Sequence, residues 1–141
     1  LLDDLGLLPA LRSLVTEFGE RHGAPVTFTA PDAIPVLSDE AEVAVFRAVQ
    51  EALSNVARHA DRAPVHVEIT APSGQLLLVI ADDGPGFDGN AVLDRAANDG
   101  HLGIAGMRER IAALGGRVDV QSAAGTGVRI EITLATREDS A

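Results

Sequence analysis

The fold of this chain is decided by the stretch Gln75-Leu-Leu-Leu-Val-Ile-Ala-Asp-Asp-Gly-Pro-Gly86, in which a nearly continuous apolar run ends in two carboxylates and a glycine turn. An apolar run of strand length, bounded by turn residues, predicts a buried β-strand. The alternating segment Pro64–Thr70 precedes it, so the two predict a hairpin. A carboxylate followed by Gly-x-Gly lets a flat ligand approach the backbone closely. The alternative is an ordinary acidic turn, because Asp-Gly and Pro-Gly are common turn dipeptides.

On either side of this hairpin, the sequence predicts further helices and strands. Leu7–His22 and Ser38–Ala60 have apolar residues at helical spacing, and Ser38 is a suitable N-cap for the longer helix. Helical spacing returns after a long glycine-rich loop, at Met107, Ile111 and Leu114. Short strands are expected at Pro25–Ala30, Arg117–Gln121 and Val128–Leu134. We expect one apolar side of the long helix to consist of Val43, Phe46, Val49, Leu53 and Val56.

The composition excludes several kinds of site. The 141 residues include 21 acids and 11 bases, every base is arginine, and the formal net charge is -10. Without lysine there is no P-loop and no Schiff base, and without cysteine there are no thiolate metal sites or disulfides. The negative charge argues against non-specific nucleic-acid binding, so no nucleic-acid partner is expected.

The length fits one domain, and no apolar run approaches the roughly 20 residues of a membrane span. Because the sequence starts at Leu1 without a methionine, we expect it to be a piece of a longer protein. The absence of cysteine fits a cytoplasmic location, including that of the cytoplasmic part of a membrane-bound protein, although a codon bias that favours Ala, Arg and Gly would also explain it. We therefore expect a domain at residues 7–135, preceded by the end of a linker at 1–6 and followed by a flexible tail at 136–141.

Two further stretches have the residue types of a binding site. Glu51, Asn55 and Arg58 lie on the long helix within about 60° of one another, at roughly 100° per residue. They can converge on one ligand, although a solvated helix face is the more common reason for such residues. Gly100-His-Leu-Gly-Ile-Ala-Gly-Met-Arg-Glu-Arg110 is a glycine-rich run that leads into a helix, whose free N–H groups can bind an anion without lysine.

In order and spacing, the three stretches resemble the N, G1 and G2 boxes of the catalytic ATP-binding domain of bacterial sensor histidine kinases. These belong to the gyrase, Hsp90, histidine kinase and MutL (GHKL) ATPase superfamily. The N box is Phe46–Ala60, the G1 box Asp82–Gly86 and the G2 box Gly100–Arg110. Together with Leu114-Gly-Gly and the closing Gly125-Thr-Gly127, the G2 box is most similar to the subfamily that works with NarL/LuxR-type response regulators. The resemblance extends from about residue 5 to residue 134.

The resemblance implies an α/β fold, namely the α+β two-layer sandwich of the Bergerat ATP-binding type. A mixed five-stranded sheet would carry three main helices on one face. ATP and Mg²⁺ are the implied cofactors. Asp88–Asp99 would be a short lid over the nucleotide.

The resemblance also implies roles for single residues. Asn55 matches the Mg²⁺ ligand, and an amide oxygen suits this hard cation. Glu51 matches an acid that activates the attacking group, and Arg58 a base near the phosphates, with His59 as a further polar contact. Asp82 matches the residue that accepts a hydrogen bond from the adenine amino group. The other expected nucleotide-binding residues are Gly84, Gly86, Gly100, His101, Gly103, Ile104 and Gly106.

Two features depart from the family's pattern. Val128 stands where members often have Thr or Ser, so any hydroxyl contact there is lost. No phosphoacceptor segment is present, because none of the four histidines lies in a His-Asp or His-Glu pair on a dimerising helix. The implied partners are therefore a dimerisation and phosphoacceptor domain of the same protein and a response regulator. The isolated domain is expected to be a monomer and the full-length protein a homodimer.

The leading hypothesis is a domain that binds Mg·ATP and donates the γ-phosphoryl group to a histidine on a separate helical domain. One alternative is an anti-sigma factor with the same fold that phosphorylates a serine. Another is a nucleotide-binding interaction module without kinase activity, for which Val128 leaves room.

Overall fold

The computed structural model describes residues 6–59, 62–84, 104–122 and 127–136. Within these ranges the chain forms the helices and strands that the sequence predicts, with small differences at their ends. The helices are α1 (Leu7–His22), α2 (Asp39–His59) and α3 (Ile104–Ala113), and the strands are β1 (Val26–Thr29), β2 (Val65–Thr70), β3 (Gln75–Asp82), β4 (Arg117–Ser122) and β5 (Val128–Ala135).

The five strands form one mixed sheet in the order β1-β2-β3-β5-β4, which confirms the predicted fold class. β1 and β2 pair in parallel because the α2 crossover connects them, whereas the β2–β3 and β4–β5 pairs are antiparallel. β5 inserts between β3 and β4 and runs antiparallel to both. β3 is therefore the central strand of the sheet, with a neighbour on each side.

The strand register aligns apolar residues in rows across one face of the sheet. Ile69, Leu78 and Ile132 are successive cross-strand partners, and all three are almost fully buried. These rows form one core with the buried sides of the helices. Since the strands' other faces carry mainly polar residues, the sheet buries one side beneath the helices, as a two-layer sandwich requires.

Helix α2 begins as the sequence predicts but buries a different side. The Ala41 N–H donates to the Ser38 Oγ atom at 3.1 Å, which confirms the N-cap. The predicted apolar side is wrong at Val43, whose exposed fraction is 43%. Val45 and the alanines of α2 pack inward instead, and this rotates the buried side away from Val43. The buried residues of α2 are Ala41, Ala44, Val45, Ala48, Val49, Ala52, Leu53 and Val56.

Thr136, the first residue of the predicted tail, is held against the β2–β3 hairpin. Thr136 is fully buried, and both its backbone N–H and its hydroxyl donate to the carbonyl oxygen of Gly74, at 3.0 and 2.9 Å. Thr136 is thus part of the folded domain and not of the predicted tail. Residues 1–5 and 137–141 lie outside the described residues. Across the described ranges, we find no helix with the length and apolar character needed to cross a membrane.

Candidate functional site

Asp82 is the last residue of β3, and its side chain is buried with an exposed fraction of 7%. Its row in the sheet contains Val65 and Val128, so the carboxylate continues the apolar face instead of pointing to the polar side. The backbone N–H of Gly84 donates to its Oδ1 atom at 2.8 Å, and the N–H of Val128 also bonds to the carboxylate. The register of the hairpin thus places a carboxylate among apolar residues.

Burial is the main reason why the pKa of Asp82 is raised above its ordinary value. The two backbone N–H groups lower the pKa, and the nearby charge of Asp83 raises it further. No positively charged side chain in the described ranges pairs with Asp82. An ionised carboxylate has about four lone-pair positions, so two N–H bonds leave it able to accept from a ligand.

Gly127, the residue before β5, supports Asp82 in a way that the sequence did not reveal. Gly127 has a φ of +80°, and a side chain there would overlap the carbonyl oxygen of Asp82. The hydroxyl of Ser122 donates to the carbonyl oxygen of Gly127 at 2.8 Å. The Gly125-Thr-Gly127 motif predicted a turn, but only the strand pairing brings Gly127 against the end of β3. Val128 contributes to the site through its backbone.

Glu51, Asn55 and Arg58 come together on α2, as their helical spacing predicts. The Arg58 Nη2 atom donates to the Oδ1 atom of Asn55 at 2.7 Å and lies 4.0 Å from the Oε1 atom of Glu51. The exposed fractions of the Arg58 and Glu51 side chains are 49% and 35%. An ion pair this exposed adds little to stability, so loss of the Arg58–Glu51 contact on ligand binding would cost the fold little.

The oxygen donors on α2 fit a cation whose other ligands come mostly from water and substrate. In the part of the chain that the structure describes, no three His, Cys, Asp or Glu side chains are grouped to enclose a metal ion. Mg²⁺ is usually bound through one or two protein oxygens together with waters and substrate phosphates. A neutral amide oxygen on Asn55, beside the carboxylate of Glu51, fits that kind of site.

The remaining predicted site residues are described only in part. Gly84 follows Asp82 and donates to it, His59 is the last residue of α2, and Ile104 and Gly106 lie in the first turn of α3. Ile104 is buried. Helix α2 contacts both α3 and β3, so the element with the Glu51 cluster adjoins the elements of the other two motifs. Gly86, Gly100, His101, Gly103 and the expected lid Asp88–Asp99 lie outside the described residues.

Comparison with known proteins defines the class of this chain. The sequence profile of the histidine kinase-, DNA gyrase B- and HSP90-like ATPases matches residues 40–138. The chain belongs to this ATPase family, which confirms the resemblance stated from the three motifs. Since the family is one of ATPases, the chain is an ATP-binding domain.

The relatives it resembles are sensor kinases. The chain is 37% identical to the signal transduction histidine-protein kinase/phosphatase DegS of Brevibacillus brevis, over 97% of this chain and 35% of that protein. It is also 37% identical to the sensor histidine kinase YhcY of Bacillus subtilis, over 92% of this chain and 33% of that protein. The chain therefore spans about a third of the length of these relatives.

Among solved structures, the chain is similar to a blue-light activated histidine kinase of Erythrobacter litoralis. The TM-score is 0.76 at 25% identity, and the match covers 95% of this chain and 43% of that one. The five-stranded sheet with three helices is thus the fold of a histidine kinase ATPase domain.

Proposed function

We propose that this chain is the ATP-binding catalytic domain of a two-component sensor histidine kinase. It binds Mg·ATP and donates the γ-phosphoryl group to a histidine on a separate dimerisation domain, for relay to a NarL/LuxR-type response regulator. The observation that carries the proposal is the buried, backbone-held carboxylate of Asp82, which has no cation partner among the described residues. The domain acts where ATP and the regulator are found, in the cytoplasm.

Asp82 reads the adenine ring. Its carboxylate accepts a hydrogen bond from the exocyclic amino group, and Gly84 and Gly86 leave room for the ring to approach the backbone. Because backbone N–H groups hold the carboxylate, its position does not depend on the rotamer of another side chain. Gly100, His101, Gly103, Ile104 and Gly106 form the phosphate end, where the N-terminus of α3 favours negative charge.

The α2 cluster binds the phosphates and accepts the proton that the phosphoaccepting histidine loses. Asn55 would hold Mg²⁺, which when bound neutralises phosphate charge. Arg58 turns from Asn55 toward the phosphates, and His59 adds a polar contact. The acceptor nitrogen forms its bond to the γ-phosphorus as the bond to the β–γ bridging oxygen breaks and ADP leaves. Glu51 accepts the imidazole proton.

Phosphate transfer to a histidine can be tested directly. The chain would be mixed with γ-labelled ATP, Mg²⁺ and the phosphoacceptor domain of the same protein, and the label would be followed on the acceptor. We expect label that is stable to base and labile to acid, as for a phosphohistidine.

Other results would support the alternatives. Acid-stable, base-labile label on a serine would favour the anti-sigma-factor type of kinase. Nucleotide binding with no label on any protein would favour the interaction module, and either result would overturn the histidine kinase proposal.

A further inference from the structure

A groove of about 370 Å³ lies between the C-terminal halves of α1 and α2. Its floor is apolar, because Phe18 and Leu53 are buried there and Leu14 and Ala57 remain partly exposed. The described part of the chain leaves this groove open to solvent. A trough with an apolar floor between two helices is the shape into which an amphipathic helix packs its apolar side.

One end of the groove is positively charged. Arg21 and His22 in the last turn of α1 and Arg58 in the last turn of α2 line this end, and among the described residues that line the groove only Glu17 has a carboxylate. Bases at helix C-termini favour the helix dipole, which explains each of them singly. Their convergence beside an apolar floor, in a chain with a net charge of -10, favours an occupant with carboxylates.

The groove adjoins the catalytic face of α2. Arg58 lines the groove and also contacts Asn55 and Glu51. Gln50, Ser54 and Ala57 line the groove one position before the three cluster residues, so the two faces lie side by side along the helix at roughly 100° per residue. A helix seated in the groove therefore brings its side chains next to the phosphate end of the site.

We infer that this groove, defined by Leu14, Phe18, Arg21, Leu53, Ala57 and Arg58, docks the acidic, amphipathic helix that presents the phosphoaccepting histidine. The inference rests on the proposed function and names the surface that the acceptor uses. The acceptor must reach the γ-phosphate, and the curated relatives are about three times longer than this chain, which leaves ample length for a helical domain. The apolar floor receives the helix, and Arg21 pairs with its carboxylate.

Protection of a single thiol tests whether the groove is covered. The chain has no cysteine, so Ser54→Cys places the only thiol on the exposed rim of the groove. We expect saturating phosphoacceptor domain to slow its maleimide labelling about tenfold. Thr16→Cys is the matched control, because Thr16 is exposed on α1 but does not line this groove, and its labelling rate should not change.

Kinetics test whether docking in the groove serves phosphate transfer. Arg21→Glu and Ala57→Gln should each raise the KM for the phosphoacceptor domain about tenfold, through charge repulsion and through blockage of the floor. The affinity for Mg·ATP, measured by calorimetry, should not change. Arg117→Glu makes the same charge change on β4, where the side chain is 78% exposed, and should leave the KM unchanged.

Three outcomes would overturn the inference. The first is normal phosphohistidine formation without protection of Ser54→Cys. The second is protection by the response regulator, or by a second copy of this chain, in place of the acceptor domain. The third is an unchanged KM in both groove variants. Failure of the proposed function is distinct, because the wild-type chain would then bind ATP and label no histidine at all.

Discussion

Asp82 and the Glu51–Asn55–Arg58 cluster are held in opposite ways. Asp82 is 7% exposed, and backbone N–H groups from two different segments fix its carboxylate. The cluster on α2 is at least partly exposed, and a hydrogen bond and a long ion pair between side chains join its three members. In the proposed function, the adenine end is therefore built into the sheet, whereas the phosphate end consists of partly exposed side chains on one helix. This contrast predicts that changes near Asp82 disturb folding and binding together, and that changes on α2 disturb binding alone.

The largest effect on stability is expected from Gly127→Ala, because Gly127 packs against the backbone of Asp82. Alanine would have to adopt a φ of +80° and would also overlap the Asp82 carbonyl oxygen. We expect the free energy of unfolding to fall by roughly 3–5 kcal/mol, measured by urea denaturation. Gly115→Ala is the control, since Gly115 has a φ of +79° but open space around it, and should cost about 1–2 kcal/mol. Equal losses of unfolding free energy in the two variants would show that the positive φ alone, and not the contact with Asp82, causes the destabilisation.

Asp82→Asn tests the adenine end without a change of size. The amide presents one oxygen in place of two and so loses the acceptor for the adenine amino group. We expect ATP binding to weaken by about 1–3 kcal/mol, measured by isothermal calorimetry. Asp83→Asn is the control, because the neighbouring side chain is exposed, and its affinity should match that of the wild type. Unchanged binding in Asp82→Asn would mean that adenine is read elsewhere.

Asn55→Ala tests the phosphate end and should separate the two regions. Removal of the amide oxygen should weaken ATP binding roughly tenfold when Mg²⁺ is present. After chelation of Mg²⁺, the wild type and Asn55→Ala should bind ATP with similar affinity, since the adenine contact remains. The free energy of unfolding should change little, because the side chain lies at a partly exposed position. A large loss of stability would contradict the contrast between the two ends.

The smallest effect is a dependence on pH that comes from the raised pKa of Asp82. Folded Asp82 keeps its proton at pH values where the unfolded chain has lost it, above about 3.8. Its contribution to the free energy of unfolding is therefore fully present below that value and is lost as the pH rises through the raised pKa. ATP affinity should instead increase as the pH rises. The ionised carboxylate offers two acceptor oxygens, whereas protonation turns one of them into an O–H donor.

Urea denaturation of the wild type and Asp82→Asn across this pH range measures that effect. As the pH rises, the wild type should lose stability relative to Asp82→Asn. A difference that is independent of pH would show that the pKa of Asp82 is not raised in the folded state.

Much of this molecule followed from local sequence patterns. The apolar run at Gln75–Asp82 predicted a buried strand, and Ser38 predicted the start of α2, because both signals depend on neighbours in the chain. The meeting of Glu51, Asn55 and Arg58 also followed, since helical spacing alone brings residues three and four apart together. The apolar side of α2 was less predictable. Alanines at its buried positions look neutral in sequence, and only packing against the sheet revealed that Val43 faces outward.

The sequence by itself determined the chemistry available to this protein. The sequence has no lysine or cysteine and contains three motifs in order, and together these features predicted an ATP site that does not depend on lysine. Tertiary structure alone decided how that site is held. The insertion of β5 beside β3 brings Gly127 and the Val128 N–H to Asp82, from more than forty positions along the chain. No local pattern encodes that contact, because it arises from strand order and register, which only the complete sheet defines.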